Sequence, residues 1–243
     1  MKRRELFKIC ASAVASVSTS PELLAGPQRQ VQSYARVALI HPQTREPIRT
    51  ESLEVGETYL FHYPYVTTPC FLINLGRSVV NEEELKTRDG DSYRWPGGSG
   101  PENSIVAFSA ICTHRMSHPA PSVSFINYRH EPAKFINNDS ETVQSAGVIY
   151  CCSEKSVYDP ARGGRVLGGP APQPLAAIML DYAEDEDNFY ATATLGGEMF
   201  NRYFEAFGQR LMLDHARFDI QQASSEETEL MPIGEYCRNQ VLC

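Results

Sequence analysis

Cys151-Cys-Ser-Glu-Lys-Ser-Val-Tyr-Asp-Pro-Ala-Arg-Gly-Gly-Arg-Val-Leu-Gly-Gly-Pro-Ala-Pro172 is the stretch on which the reading of this chain turns. It answers an earlier bend, Cys112-Thr-His-Arg-Met-Ser-His118, which is delivered by the apolar run Ser104-Ile-Val-Ala-Phe-Ser-Ala-Ile111. Cysteine thiolates are soft donors that suit iron with bridging sulfide, and imidazole suits a second, reducible iron. Cys112 and His114 alternate across one bend, so both can point into one cavity.

Together the two bends resemble the cluster-binding loops of Rieske iron–sulfur proteins. In that family the first loop reads C-x-H and the second C-x-x-H, and the cysteines hold one iron while the histidines hold the other. Counting back from Tyr158-Asp159 puts Ser156, Glu154 and Cys151 on the family's Ser, His and Cys positions. The run Gly164-Arg-Val-Leu-Gly-Gly-Pro-Ala-Pro172 matches the closing proline loop. The resemblance therefore implies a 2Fe-2S cluster held by Cys112, His114, Cys151 and Glu154. Ser156 and Tyr158 would donate hydrogen bonds to a bridging sulfide and a cysteine sulfur, stabilising the reduced cluster. Pro170 and Pro172 would shield it from water.

The departures from the family pattern are as informative. An acid stands at position 154, where the family has an imidazole; a carboxylate ligand is harder and charged, stabilises ferric iron and lowers the potential. Cys152 and His118 are the alternatives to it as fourth ligand. Ser117 and Ser153 stand where membrane-complex members carry a pair of disulfide-bonded cysteines, so both partners of that bridge are missing together. Met116 and Lys155 replace loop glycines, and residues 115–150 exceed the family's usual spacing, which places an insertion beside the site.

Outside the loops the pattern is that of short strands. Tyr34–Ile40, Thr58–Tyr65, Cys70–Leu75, Gly164–Gly168 and Asn188–Thr194 read as β-prone runs between turns. Residues 76–103, with Glu82-Glu-Glu84 and Pro96-Gly-Gly-Ser-Gly-Pro101, read as loop. The expectation is an all-β fold, a Rieske-like antiparallel sandwich over residues 27–195 with a cluster-binding subdomain at about 104–175. From Glu198 the period changes. Apolar residues at 199, 200, 203, 204, 207 and 211 share one helical face, predicting a C-terminal amphipathic helix packed on the domain. An acidic tail, loose from residue 221, completes a segment spanning 196–243.

The chain carries a net charge of −8, which argues against a nucleic-acid partner, since phosphate binding needs basic patches. Lys2-Arg-Arg-Glu-Leu-Phe-Lys8 resembles a twin-arginine export signal, with residues 1–26 as the removable segment. Its weakly apolar run is too short to be read as a membrane span. The implied location is the periplasm or the outer face of the cytoplasmic membrane, with membrane association only through a partner or a retained signal. Of the seven cysteines, Cys70 reads as a buried thiol, and Cys237 and Cys243 could pair in an oxidising compartment.

The resemblance thus implies an exported single-electron carrier in a respiratory oxidoreductase complex, and not a catalyst by itself. Its partners would be a cytochrome b-type or molybdenum-type subunit and a c-type cytochrome. The alternatives are a cluster-free structural or interaction subunit that keeps only the fold and, third, a zinc protein using the same four side chains. No phosphate-binding glycine loop, nucleophile elbow or His-Glu-x-x-His helix is present.

Overall fold

Runs such as Pro69–Asn74 are buried along their whole length, which requires a sheet covered on both faces. The computed structural model describes residues 31–243, and the expected signal lies outside them. In chain order, β1 (Val31–Ile40), β2 (Thr58–His62) and β3 (Pro69–Asn74) lead to a hairpin, β4 (Glu83–Lys86) with β5 (Ser92–Trp95), and then to β6 (Ile105–Ser109). Next come β7 (Ile126–Arg129), the hairpin β8 (Ala133–Ile136) with β9 (Thr142–Ser145), β10 (Val148–Cys151), β11 (Ser156–Asp159) and β12 (Arg165–Gly168). After β13 (Ala177–Ala183) and β14 (Asn188–Leu195) stand α1 (Phe200–Asp214), β15 (Glu227–Glu229), β16 (Met231–Pro232) and the single-turn α2 (Ile233–Tyr236).

The larger sheet has eight strands in the order β15-β1-β14-β13-β6-β3-β2-β16. Residues along β2, β3 and β6 alternate between two apolar clusters. Leu60, Phe71, Ile73, Val106 and Phe108 belong to one, which also holds Cys112, Ile149, Cys151 and Tyr158 of the smaller sheet. Phe61, Cys70, Leu72, Ile105 and Ala107 join the other, with Val37, Leu39, Phe189 and Ala191 from the far strands. Each fully buried side chain of this size contributes about 1.5–3 kcal/mol, so the sheet is fixed in register from both sides. The smaller sheet, β12-β11-β10-β7, packs on the first cluster and carries the second cysteine bend.

Three sequence expectations need correction. Residues 76–103 are not only loop: β4 and β5 pair within them, with Leu85, Tyr93 and Trp95 buried. That hairpin lies on Gly163 (φ +68), where an added Cβ would stand 2.7 Å from Leu85 Cδ1, and Glu83 binds Arg162 at 2.7 Å. The segment from 221 is not a loose tail. β15 runs parallel to β1, and after Leu230 β16 runs antiparallel to β2, so one stretch pairs both edges of the large sheet and curls it toward a barrel. Buried Thr228 and Leu230 hold it there, and Thr228 Oγ1 donates to His62 O at 3.0 Å. Unpaired edges invite association with other chains, and this stretch covers two of them. Thirdly, Cys243 pairs with Cys152 and not with Cys237, whose thiol remains free and donates to Asn239 O.

The helix stands where its periodicity put it. Phe200, Tyr203, Phe204 and Leu211 are buried, and they pack with Ile111 and half-buried Met116 at the first cysteine bend. Among the described residues no helix is long and apolar enough to cross a membrane.

Candidate metal centre

Each cysteine bend is a short loop closed by its own backbone. In the first, Cys112 N–H donates to Ser117 O at 2.9 Å and Met116 N–H to Cys112 O at 2.8 Å. In the second, Cys151 pairs with Ser156 across the β10–β11 turn. Both loops turn on a left-handed residue four positions after the cysteine, Met116 at φ 60° and Lys155 at φ 61°. These are the two positions where the family resemblance led one to expect glycine, and side chains are costly in that conformation. Across the second loop lies Gly169 (φ +85), whose added Cβ would meet Lys155 O at 2.2 Å, so the closing turn is pressed onto the loop by backbone contact. Pro170 and Pro172 themselves stand on the surface.

Cys112 and Cys151 are fully buried and free. The Cys151 thiol donates to the Cys112 sulfur, which also accepts from the backbone N–H groups of His114 and Arg115. These donors, Cys151 first, hold Cys112 below the usual thiol range, against the opposing effect of burial. Cys151 is pushed up, first by the hydrogen bond with Cys112 and then by burial. Tyr158 Oη lies 3.2 Å from Cys112 Sγ and accepts from Thr113 N–H at 3.2 Å, which leaves its own hydrogen for the sulfur.

Toward the surface the other two candidate ligands face each other. His114 Nδ1 is 3.7 Å from Glu154 Oε2, and Arg115 Nε is 3.9 Å from Glu154 Oε1. The first separation is too long for a hydrogen bond. It suits two donors on one ion, since ligands about 2.1 Å from a tetrahedral metal stand about 3.4 Å apart. The four candidates thus fall into two pairs, sulfur with sulfur and imidazole with carboxylate. Among the described residues no three His, Cys, Asp or Glu side chains converge on a single ion.

Two orphaned atoms test whether a sulfide-bridged pair of irons fits. His114 Nδ1 and Ser156 Oγ are both sealed from solvent without a hydrogen-bond partner. Leaving such groups unpaired costs about 1–3 kcal/mol each. An imidazole nitrogen aimed at its ligating partner and a hydroxyl without an acceptor are what a 2Fe-2S cluster would satisfy. The residues fit the group.

The two alternative fourth ligands are otherwise engaged. Cys152 Sγ is in the disulfide to Cys243, with Cα atoms 5.7 Å apart. His118 lies edge-on against Tyr203 and Phe207 of α1, ring centroids 4.8 Å away in each case, and its Nδ1 is 2.9 Å from Met116 O. Glu154, by contrast, stands 3.7 Å from His114 Nδ1.

Several residues here escaped the sequence reading. Thr113 Oγ1 donates to Gln173 O at 2.8 Å, and Gln173 Oε1 accepts from Arg88 N–H, so one buried glutamine ties the closing turn to both the first loop and the β4–β5 side. The Ser117 hydroxyl assists Cys151 by hydrogen bonding. Thr113 had a signal, since it sits between two candidate ligands; Gln173 had none.

No family model matches this sequence. Among solved structures, the chain is similar to the soluble domain of Rieske protein II (soxF) from Sulfolobus acidocaldarius, with 23% identity over 68% of this chain and 82% of that one, at a TM-score of 0.43. It is also similar to the quaternary ammonium Rieske monooxygenase CntA, with 11% identity over 75% of this chain and 37% of that one, at a TM-score of 0.29.

Proposed function

We propose that this chain is a single-electron carrier of Rieske type, holding a 2Fe-2S cluster through Cys112, Cys151, His114 and Glu154. The observation that carries the reading is the sorting of four donors into two pairs, with one of those donors, His114 Nδ1, and the Ser156 hydroxyl both buried without a hydrogen-bond partner. A binuclear centre takes two protein donors per metal and fills the rest with sulfide. A single zinc ion would need all four to converge. When bound, the cluster supplies one-electron redox chemistry. The protein's part would be to give up the thiol protons of Cys112 and Cys151 as metal binds, to offer the Tyr158 and Ser156 hydroxyls as hydrogen-bond donors to sulfur, and to offer Glu154 as an anionic ligand that favours the oxidised state.

The wider setting is proposed on the same footing: an exported chain, at the periplasm or the outer membrane face, exchanging electrons with a quinol-oxidising or molybdenum-type subunit and a c-type cytochrome. The Lys2-Arg-Arg segment and the Cys152–Cys243 disulfide, which suits an oxidising compartment, support it.

The test is metal and acid-labile sulfide analysis of the protein exported by its own signal. Two irons with two sulfides per chain, and Glu154→Gln shifting the visible spectrum, are the expected results. Neither iron nor sulfide would leave the cluster-free subunit as the reading, and one zinc would leave the zinc protein.

A further inference from the structure

Beside the second loop, and apart from the paired ligands, lies a cavity of about 720 Å³. Its walls come from the inserted hairpin (Phe135, Ile136), from β10 (Tyr150) and from the closing turn (Pro170). Phe135 and Tyr150 are nearly buried beneath it, with ring centroids 6.4 Å apart, while Ile136 is 62% exposed at its edge. The volume lies within the range of about 300–1,000 Å³ usual for small-molecule sites, and the lining is that of such sites, aromatic and aliphatic with few polar groups.

Charge narrows the occupant. The chain has an excess of eight acidic charges, yet Lys134 and Lys155 both line this cavity. Lys86, Lys134 and Lys155 are the lysines among the described residues, so most of that supply is spent here. Both side chains are exposed. Neither takes part in a salt bridge among the described residues, and Lys155 Nζ stands 5.9 Å from the Tyr150 ring. Lys155 also holds the left-handed conformation, φ 61°, where glycine would be favoured. A strained backbone position that keeps a charged side chain beside a cavity is the kind of outlier from which function is inferred.

We infer that this cavity is a binding site for a small aromatic anion, its flat body against Tyr150, Phe135 and Pro170 and its carboxylate or sulfonate between Lys134 and Lys155. The site draws on no metal ligand, and its occupancy would bear directly on the second loop through Lys155.

The test is fluorescence titration of the full chain with anilinonaphthalene sulfonate, and with uncharged phenylnaphthylamine as the control probe. The sulfonate should bind saturably at one site per chain and be displaced by naphthoate. The uncharged probe should bind about ten-fold more weakly. Lys134→Gln and Lys155→Gly should each weaken the sulfonate about five-fold, as the loss of one exposed charge pairing would. Lys155→Gly places the favoured residue at a left-handed position, so it keeps the fold while removing the charge. Equal affinity for the two probes, or unchanged sulfonate affinity in both variants with intact circular dichroism, would overturn the assignment. Sulfonate binding that rises and falls with self-association in sedimentation would also overturn it, in favour of a face that meets a second copy.

Discussion

The two cysteine loops are alike in outline and unlike in what holds them. Each begins with a buried cysteine and turns on a left-handed residue four positions later. The first is secured by non-covalent contacts: Thr113 to Tyr158 and Gln173, and Met116 and His118 against α1. The second is secured by the Cys152–Cys243 bond, by Cys152 N–H donating to Phe125 O at 2.7 Å, and by Gly169 pressing from above. The bridge that the family resemblance would run between loops is absent at Ser117 and Ser153, and a cross-link to the far end of the chain stands in the second loop instead. Two supports of different chemistry should fail under different conditions, and the contrast can be tested on that basis.

The largest effect is expected where the loops act together. On the cluster reading proposed above, Cys112→Ser or Cys151→Ser removes half of the sulfur pair, and iron content per chain should fall to near zero in either. Retention of full iron by one of them would mean that the loops do not share a centre. Next is the cross-link. Cys243→Ser should lower stability by about 2–4 kcal/mol, the usual effect of losing a bridge that closes a long loop. Hydrogen exchange should quicken at residues 150–156 and stay unchanged at 112–118. Reductant should reproduce the effect in the parent chain and do nothing further to the variant.

Acid should act on the other side. His62 Nε2 is sealed beneath α1's C-terminal end without a partner, and its ring lies 5.2 Å from that of His215. Burial, aided by His215, pulls its pKa down to about 3. The unfolded chain therefore takes up this proton first. Stability from this group is complete above the ordinary histidine value of about 6.5 and is lost as pH falls from there toward 3. Between pH 7 and pH 5 the loss is about 2 kcal/mol. Urea titrations should show that slope, and His62→Asn should flatten it. Acid should loosen α1 and the first loop while the cross-linked loop stays protected. The smallest effect separates the two turns once more: Lys155→Gly should raise stability by about 1 kcal/mol, because it relieves a left-handed position held by an exposed side chain, whereas Met116→Gly relieves the same strain but loses the packing against α1 and should give no net gain. Thermal melts that gave an equal gain at both sites would show that the Met116 contact does not hold the first loop.

How much of this was legible beforehand follows from what makes each element. Strands with two buried faces, such as Pro69–Asn74 and Ile105–Ser109, are written as apolar runs and were readable. So was α1, whose period is its own. The hairpin at Glu83–Trp95 was not, because its four-residue strands send Glu84, Lys86 and Arg94 to solvent and bury only alternate positions. The clasp formed by β15 and β16 was hidden for a similar reason: Thr228 and Leu230 alone face inward within an acidic run. That Cys112 and Cys151 meet was legible because their spacing within each bend is local. The surroundings of Glu154, Cys152 and His118 were not, because they depend on Cys243 and α1, which no spacing near residue 151 encodes.

That clasp sets an order of events in synthesis. The first strands of the large sheet emerge early, but its two edges are not joined until residues 227–232 have been made, and the second loop is not locked until Cys243, 91 positions beyond Cys152, has been made and the pair meets oxidising conditions. A nascent chain would therefore wait with open edges and an unlocked loop, and any factor that loads or escorts it has that interval in which to act.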